Sequence, residues 1–437
     1  MIKINSYKVI LIALLMLLFA NIKILSQNKI YPINLETVLE LSGAKNLTIK
    51  EYNLRYQESL ADKTKADEWW LPSIYFGATS HYLNGAAMNT DGSILHPLER
   101  NNLWAGLGLF IDWDLSKGIF STLAAEQRAE ALQYRSQAQR NEQILKAVEA
   151  YFDLQVEQMK FSAIQQLVLQ ADSLARQIRI QVDTGLRYQS EYLLAQSNYS
   201  HLKISLFQTK ADWKKKSAEL RNILNLEVDA LLLSSDSVLV PIHLDENYLD
   251  TLAQSSFYQN RPEYLDLQSG LYSLHTQRKT VTAGVFIPSL QIGTDDGIFG
   301  KVQSPYYNTY RLNAALVWQI PLGRFTYEGD LKQFDAKILI QQNELEQFKN
   351  QALQELTQTD AQLEASKEQM KLAEEALKLA AEALSQSIER QKLGTAFPFE
   401  VFQAQQFYLQ AQFDYLNSVS DYNKAQFAVK VALGETL

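Results

Sequence analysis

The chain is 437 residues long and carries 41 Lys and Arg against 49 Asp and Glu, a net charge of −8, with no cysteine. The acidic balance argues against a nucleic-acid partner. The lack of cysteine excludes disulfides, thiolate metal sites, a cysteine nucleophile and a lipid-modified N-terminal cysteine.

Residues 1–26 read as a secretory signal peptide: Lys3 and Lys8, an apolar run from Val9 to Ala20, then a polar stretch ending near Ser26-Gln27, with no acid before Glu36. The apolar run is shorter than the ~20 residues of a membrane span, and a short N-terminal anchor is the alternative. Removing the segment takes away Lys3, Lys8 and Lys23 and leaves 38 basic residues against 49 acidic ones. No later run has the length of a spanning helix, so any membrane insertion would have to be as a β-barrel.

Two strands are expected next, at about 72–83 and 103–115. In the second, Leu103, Ala105, Leu107, Leu109, Ile111 and Trp113 alternate with Trp104, Gly106, Gly108, Phe110, Asp112 and Asp114, the weak signature of a membrane strand. The Asn-, Gly- and Pro-rich stretch from Leu83 to Asn102 reads as a loop. Between Gly118 and Gly185 there is neither Pro nor Gly, and apolar residues recur at three- and four-residue steps from Leu145 through Phe152 and Leu167 to Ile178. Such a helix would run about 100 Å at 1.5 Å per residue. A helical hairpin is therefore expected over 117–226, reversing at 185, with a coiled-coil seam as the main meaning of its stripe. A linker follows at 227–244.

The remainder retells this order. Leu71-Pro72-Ser73-Ile74 is echoed by Ile287-Pro288-Ser289-Leu290; Trp113 is answered by Trp318; Gly185, Glu191 and Ala195 are answered by Gly394, Glu400 and Ala404. The expected division is a first repeat over 27–244 and a second over 245–437. The second carries strands at about 287–295 and 308–321, a loop from Asp295 to Asn308, and a hairpin over 324–433 reversing at 394. Four strands cannot close a barrel, which needs about eight, so a membrane sheet of this kind requires association. Two copies would give eight strands, and three would give twelve with room to conduct.

The secretory start, the duplicated order of helix, strand, loop, strand and hairpin, and the paired motifs Gly185-Leu-Arg-Tyr-Gln-Ser-Glu191-Tyr-Leu-Leu-Ala195 and Gly394-Thr-Ala-Phe-Pro-Phe-Glu400-Val-Phe-Gln-Ala404 resemble the TolC-like outer-membrane efflux proteins. The resemblance covers nearly the whole mature chain. It implies a mainly α fold with a small membrane β part, in a homotrimer with a 12-stranded barrel in outer-membrane lipid and a 12-helix tunnel extending into the periplasm. The implied function is a passive exit duct in a tripartite efflux or type I secretion system, docked to a periplasmic adaptor and an inner-membrane pump or ATP-driven exporter. It implies neither catalysis nor a cofactor. A periplasmic coiled-coil adaptor or scaffold is the competing reading, but an adaptor would not repeat the strand-end and tip motifs.

The same resemblance puts Glu400, with Glu191, at a periplasmic aperture, and Gln403 stands where the family often has a further carboxylate. Arg187 could pair with a neighbouring acid to hold the tip closed. Gly185, Leu186, Gly394 and Thr395 would meet the adaptor. The bland alternatives are first-turn helix acids for the glutamates, a solvated Arg187, and simple turn chemistry for the glycines. Trp104, Trp113 and Trp318 are expected at the membrane interface. Trp69 and Trp70 suit a packed junction equally well. His81, His96, His201, His243 and His275 lack ligand spacing, Gly106-Leu107-Gly108 is too short for a phosphate loop, and Asp295-Asp296-Gly297 reads as a loop turn rather than a calcium site. No metal site is expected.

Overall fold

A computed structural model of the chain describes residues 29–227, 230–236, 238–243, 257–302, 305–323 and 328–437. The expected signal peptide lies outside these residues, as does part of the 227–244 linker. The chain forms two compact units, one of Met1–Lys50, Gln139–Tyr258 and Ala352–Leu437, the other of Glu51–Ala138 and Gln259–Gln351. Each unit draws on both sequence repeats.

The first unit begins with β1 (Lys29–Ile33), which pairs in parallel with β4 (Ala230–Ser234). Asn34 caps α1 (Leu35–Lys45) by accepting the Thr37 N–H at 2.9 Å. Asn46 ends that helix and starts α2 (Leu47–Asp67): its Oδ1 accepts from Thr48 and Ile49, and its Nδ2 donates to the Ile223 carbonyl at 3.0 Å. One asparagine thus satisfies end groups of two helices. The long helices are α3 (Leu115–Asp183), α4 (Gln189–Ile223), α6 (Gly329–Lys392) and α7 (Pro398–Ala432). The core of this unit joins Ile33, Val38 and Leu232 to Val148, Phe152 and Leu154 of α3, Leu220 of α4 and Val419 and Phe427 of α7. The Tyr151 hydroxyl donates to Asp236 and lies 3.1 Å from Ser234 Oγ; burial, then the bond to Asp236, push this phenol well above its ordinary pKa.

Asp153 ties three helices of this unit, accepting from Lys424 of α7 and from Lys216 of α4 at 2.9 Å. Burial opposes its charge, but the two lysines prevail and hold the carboxyl below its usual range. A depressed folded-state pKa means that this tie stabilises fully above the unfolded value of ~3.9 and is lost as pH falls through the folded one. Neighbouring Glu149 has the opposite sign, since burial raises it. Thermal melts should therefore show Asp153→Asn less stable than the wild type at neutral pH. The gap should close below about pH 4, and a gap independent of pH would refute this account.

The second unit contains the four-stranded antiparallel sheet β2 (Ser73–Met88), β3 (Ile94–Asp114), β5 (Ser289–Lys301) and β6 (Tyr307–Val317), in that order. Within the chain, β2 and β6 are its edges. Because successive side chains take opposite faces, the register sorts the residues. One face carries Ile74, Phe76 and Ala78 opposite Leu109, Leu107 and Ala105, and Ile292 and Leu290 opposite Ala314 and Leu316. The other carries Thr79, His81, Asp112, Gln291, Asp295, Arg311 and Asn313. An apolar and a polar face on one sheet is the pattern of a membrane barrel wall.

The strands reach further than the sequence pattern suggests. The expected loop Leu83 to Asn102 shrinks to residues 89–93, with β2 and β3 paired out to Met88 and Ile94 across an irregularity between Gly85 and Ala87. Likewise, β5 continues to Lys301 and β6 starts at Tyr307, while β6 stops at Val317 rather than near 321. His81 and His96 are consequently strand residues. These extensions mix polar residues such as Asn84, Glu99, Arg100 and Asn101 with apolar ones on both faces, so no clean hydrophobic alternation advertises them.

Where the strands meet helices, aromatic rings replace missing side chains. Trp69 covers Gly118, whose Cβ would lie 2.3 Å from the ring, and Tyr75 covers Gly108 in the same way. The Trp113 indole donates to the Trp70 carbonyl at 2.6 Å. Helix α5 (Pro262–Val281) packs in this unit through Ser273, which donates to the Ala124 carbonyl at 2.9 Å.

Candidate functional site

Four helix ends of the first unit converge at the two reversals. Leu174 and Ile178 of α3, Ala195 of α4, Leu384 of α6, and Val401 and Phe402 of α7 form one apolar cluster. The chain turns beyond it at Gly185 (φ +77°) and Gly394 (φ +76°), a left-handed conformation that glycine adopts without steric cost. Both turns close alike: Leu186 N–H bonds the Gln181 carbonyl at 2.8 Å, and Thr395 N–H the Arg390 carbonyl at 2.9 Å. Such bonds satisfy carbonyls left open at a helix C-terminus. Leu186 and Leu393 stand 77% and 79% exposed at the tips.

The two tips differ in their charges. At the first, Arg187 divides its donors three ways: Nη1 to Glu191 Oε2 at 2.8 Å, Nε to Gln181 Oε1 at 3.0 Å, and Nη2 to the Ala396 carbonyl of the other hairpin at 3.3 Å. The Arg187 and Glu191 side chains are only 11% and 16% exposed. Lysine, a single point of charge, could not reproduce this planar fork. At the second, Glu400 accepts the Phe397 N–H at 3.1 Å at the start of α7 and faces Arg390 Nη1 at 3.3 Å. This pair is 55% and 38% exposed, a setting in which ion pairs are worth about 0–1 kcal/mol. Gln403, one turn further along α7, is exposed.

Glu191 and Arg187 are thus brought together and sequestered, whereas Glu400 remains half open to solvent. The sequence reading did not find Arg390, Gln181 or the Ala396 carbonyl. The first two are unremarkable polar residues on long helices, and the third is a backbone atom. Gly185, Leu186, Gly394 and Thr395 form the turns themselves.

The tryptophans separate. Trp113 lies on the apolar face at the end of β3, and Trp318 lies just past β6, 55% exposed. Trp104 stands on the polar face, where the Arg311 guanidinium lies 5.8 Å from its ring centre. Arg311 also donates to Asp295 at 3.0 Å. The expectation of a loop turn at Asp295-Asp296-Gly297 is corrected: all three are in β5, and Asp295 is 7% exposed beside Arg311. Among the described residues, no group of three or more His, Asp and Glu could hold a metal, and no helix is long and apolar enough to cross a membrane.

A duplicated helical hairpin attached to a four-stranded sheet with one apolar face defines the fold class of outer-membrane channel proteins. The outer membrane efflux protein family model matches residues 38–226. The fold is shared with the CmeC outer membrane channel of Campylobacter jejuni (18% identity, 92% of this chain and 85% of that one, TM-score 0.79). It is shared too with the outer membrane channel MtrE of Neisseria gonorrhoeae in its open state (16%, 92% and 89%, 0.76) and with the outer membrane protein VceC of Vibrio cholerae (16%, 92% and 96%, 0.74). No curated protein matches the sequence significantly. Residues 38–226 thus resemble the outer membrane efflux protein family, and the fold of nearly the whole chain is that of these outer-membrane channels.

Proposed function

We propose that three copies of this chain assemble into a passive exit duct of the outer membrane, carrying solutes from periplasm to exterior. The observation behind this reading is the four-stranded sheet, apolar on one face, whose outer edges on β2 and β6 are left open among the described residues. Open edges in lipid are costly because no water can satisfy their backbone groups. Pairing β6 of one copy with β2 of the next removes every edge and gives twelve strands, with the polar face of Asp112, Asp295 and Arg311 lining the conduit. Trp113 and Trp318 then suit the membrane interface, and Trp104 the conduit wall.

Channel proteins of this kind act with partners, and the exposed Leu186, Leu393 and Phe397 around the glycine turns offer apolar contacts to a periplasmic adaptor, itself joined to an inner-membrane pump or ATP-driven exporter. The half-open Glu400 is the better gate acid. Three copies around a threefold axis would form a carboxylate ring that collects cations, with Gln403 adding no charge. Glu191, already neutralised by Arg187, serves closure instead. In planar bilayers, Glu400→Gln should weaken block by multivalent cations several-fold without abolishing conduction. Unchanged cation sensitivity would remove Glu400 from the aperture.

A further inference from the structure

The face of the sheet that carries Asp112, Asp295 and Arg311 also carries a row of aromatic rings. Trp104 pairs with Phe299 across β3 and β5, Phe299 pairs with Tyr307 across β5 and β6, and Thr79 of β2 completes the row. Trp104 precedes Leu115, where α3 begins, by eleven residues. At ~3.3 Å per residue the row therefore lies roughly 35 Å along the strand from the helices. For β5 and β6 it is the last paired position. Aromatic girdles of membrane barrels stand on the lipid-facing side, whereas parity places these three rings on the opposite side.

The neighbouring rows set the rings off. Phe299 is 47% and Tyr307 68% exposed. One row outward the same face carries His81, Asn102 and Lys301, and one row inward it carries Gly77, Gly106, Gly297 and Thr309. The glycines let side chains lie along the wall: a Cβ at Gly106 would stand 2.9 Å from Trp104 Cζ2. Gly297 lies between Trp104 and Arg311 in the register and puts no side chain in the way of the guanidinium, which sits 5.8 Å from the Trp104 ring centre. Exposed apolar groups gathered within a polar rim mark contact surfaces. Here those groups are flat rings, which attract other rings in offset or edge-to-face arrangements.

We propose that Trp104, Phe299 and Tyr307 form a collar on the conduit wall that binds planar aromatic solutes by ring contact. The inference rests on the duct reading, which turns this face inward and repeats the row three times around the axis, near the outer end of the barrel. Because ring faces make the contact, flatness and aromaticity of the passenger matter more than the sign of its charge. The collar would hold flat aromatic solutes transiently and let saturated ones of the same size pass.

The test uses the full-length protein in planar bilayers and two pairs of probes matched in charge and size. One is 2-naphthoate against decahydro-2-naphthoate; the other is (2-naphthylmethyl)trimethylammonium against its decahydro analogue. Each naphthalene probe should interrupt single-channel current at a concentration at least tenfold below that of its saturated partner. The variant Phe299→Leu/Tyr307→Leu should abolish the difference, and Phe299→Tyr should keep it. Equal block within the pairs, block that follows charge alone, or a difference that survives in the double variant overturns the collar. If the double variant does not assemble, Tyr307→Ser alone decides: it should lower the ratio at least threefold, and an unchanged ratio overturns the collar. Fluorescence anisotropy of 2-naphthoate with the protein in detergent, empty micelles subtracted, reads the rings without a channel. Channels from a protein that binds no naphthoate retire the collar and leave the duct standing. Binding that depends on Phe299 and Tyr307 in a protein that opens no channel keeps the rings as a site and overturns their place in a conduit.

Discussion

Replacing Arg187 by alanine is expected to loosen both helix tips at once. The substitution strips Glu191 of its partner in a setting where its side chain is 16% exposed, and it takes a donor from Gln181 and from the Ala396 carbonyl. Removing one member of a fully buried pair costs about 3–5 kcal/mol, because the charge left behind is uncompensated. The remaining solvent access here lowers that to roughly 2 kcal/mol. The loss should be local: amide exchange should quicken around 181–187 and 391–397, while the core around Phe152 and Val419 keeps its protection. In bilayers the resting conductance should rise. Glu191→Gln added to Arg187→Ala should recover part of the protection, because it removes the orphaned charge. Unchanged exchange at the second tip in Arg187→Ala would show that the bond to Ala396 contributes nothing.

A methyl group at Gly106 should have the larger effect on assembly. Gly106 pairs with Gly297 across β3 and β5, and a Cβ at Gly106 would lie 2.3 Å from the Asp296 carbonyl oxygen and 2.8 Å from Gly297 Cα. Both obstacles are backbone, so no rotamer change relieves them. The cost of Gly106→Ala should exceed the ~1–3 kcal/mol usual for overpacking among side chains. The strands must part, and the assembled species that survives an unheated detergent gel should be lost. Gly77→Ala is the control, since nothing lies within 4 Å of its Cβ position. Survival of the Gly106→Ala assembly would mean that these strands are set further apart than the register requires.

The sequence was most legible where hydrophobic period and punctuation agree. Uninterrupted helix formers between Gly118 and Gly185 announced α3, and the two glycines marked turns that do need a left-handed residue. Alternation from Leu103 to Asp114 announced one half of β3. Its other half, from Ile94 through Arg100 to Asn102, carries polar residues on both faces and looks like loop, because pairing between backbones leaves no trace in side-chain type. At the tips, Glu191 and Glu400 fill the same motif position, and only the differing residues after them favoured Glu400 as the gate acid. What separates them in the structure is burial and the reach of one guanidinium to a carbonyl in the other hairpin, and a pattern of letters encodes neither. Trp104, expected at the membrane interface, lies by parity along β3 on the polar face of the sheet.

The bond from Arg187 to Ala396 spans 209 residues, the same interval that separates Gly185 from Gly394. Arg187 and Ala396 are therefore the same position in the two copies of the duplication. While the copies were identical, that position held one residue twice, and an arginine in both would have set two like charges side by side. The tie as it stands uses a long donor in one copy and, in the other, Ala396, a small residue 4% exposed whose carbonyl the guanidinium reaches. The hairpins are in this sense no longer interchangeable parts. A chain built from two first hairpins would repel itself at the tip, one built from two second hairpins would have nothing to fasten with, and the two genetic halves now depend on each other.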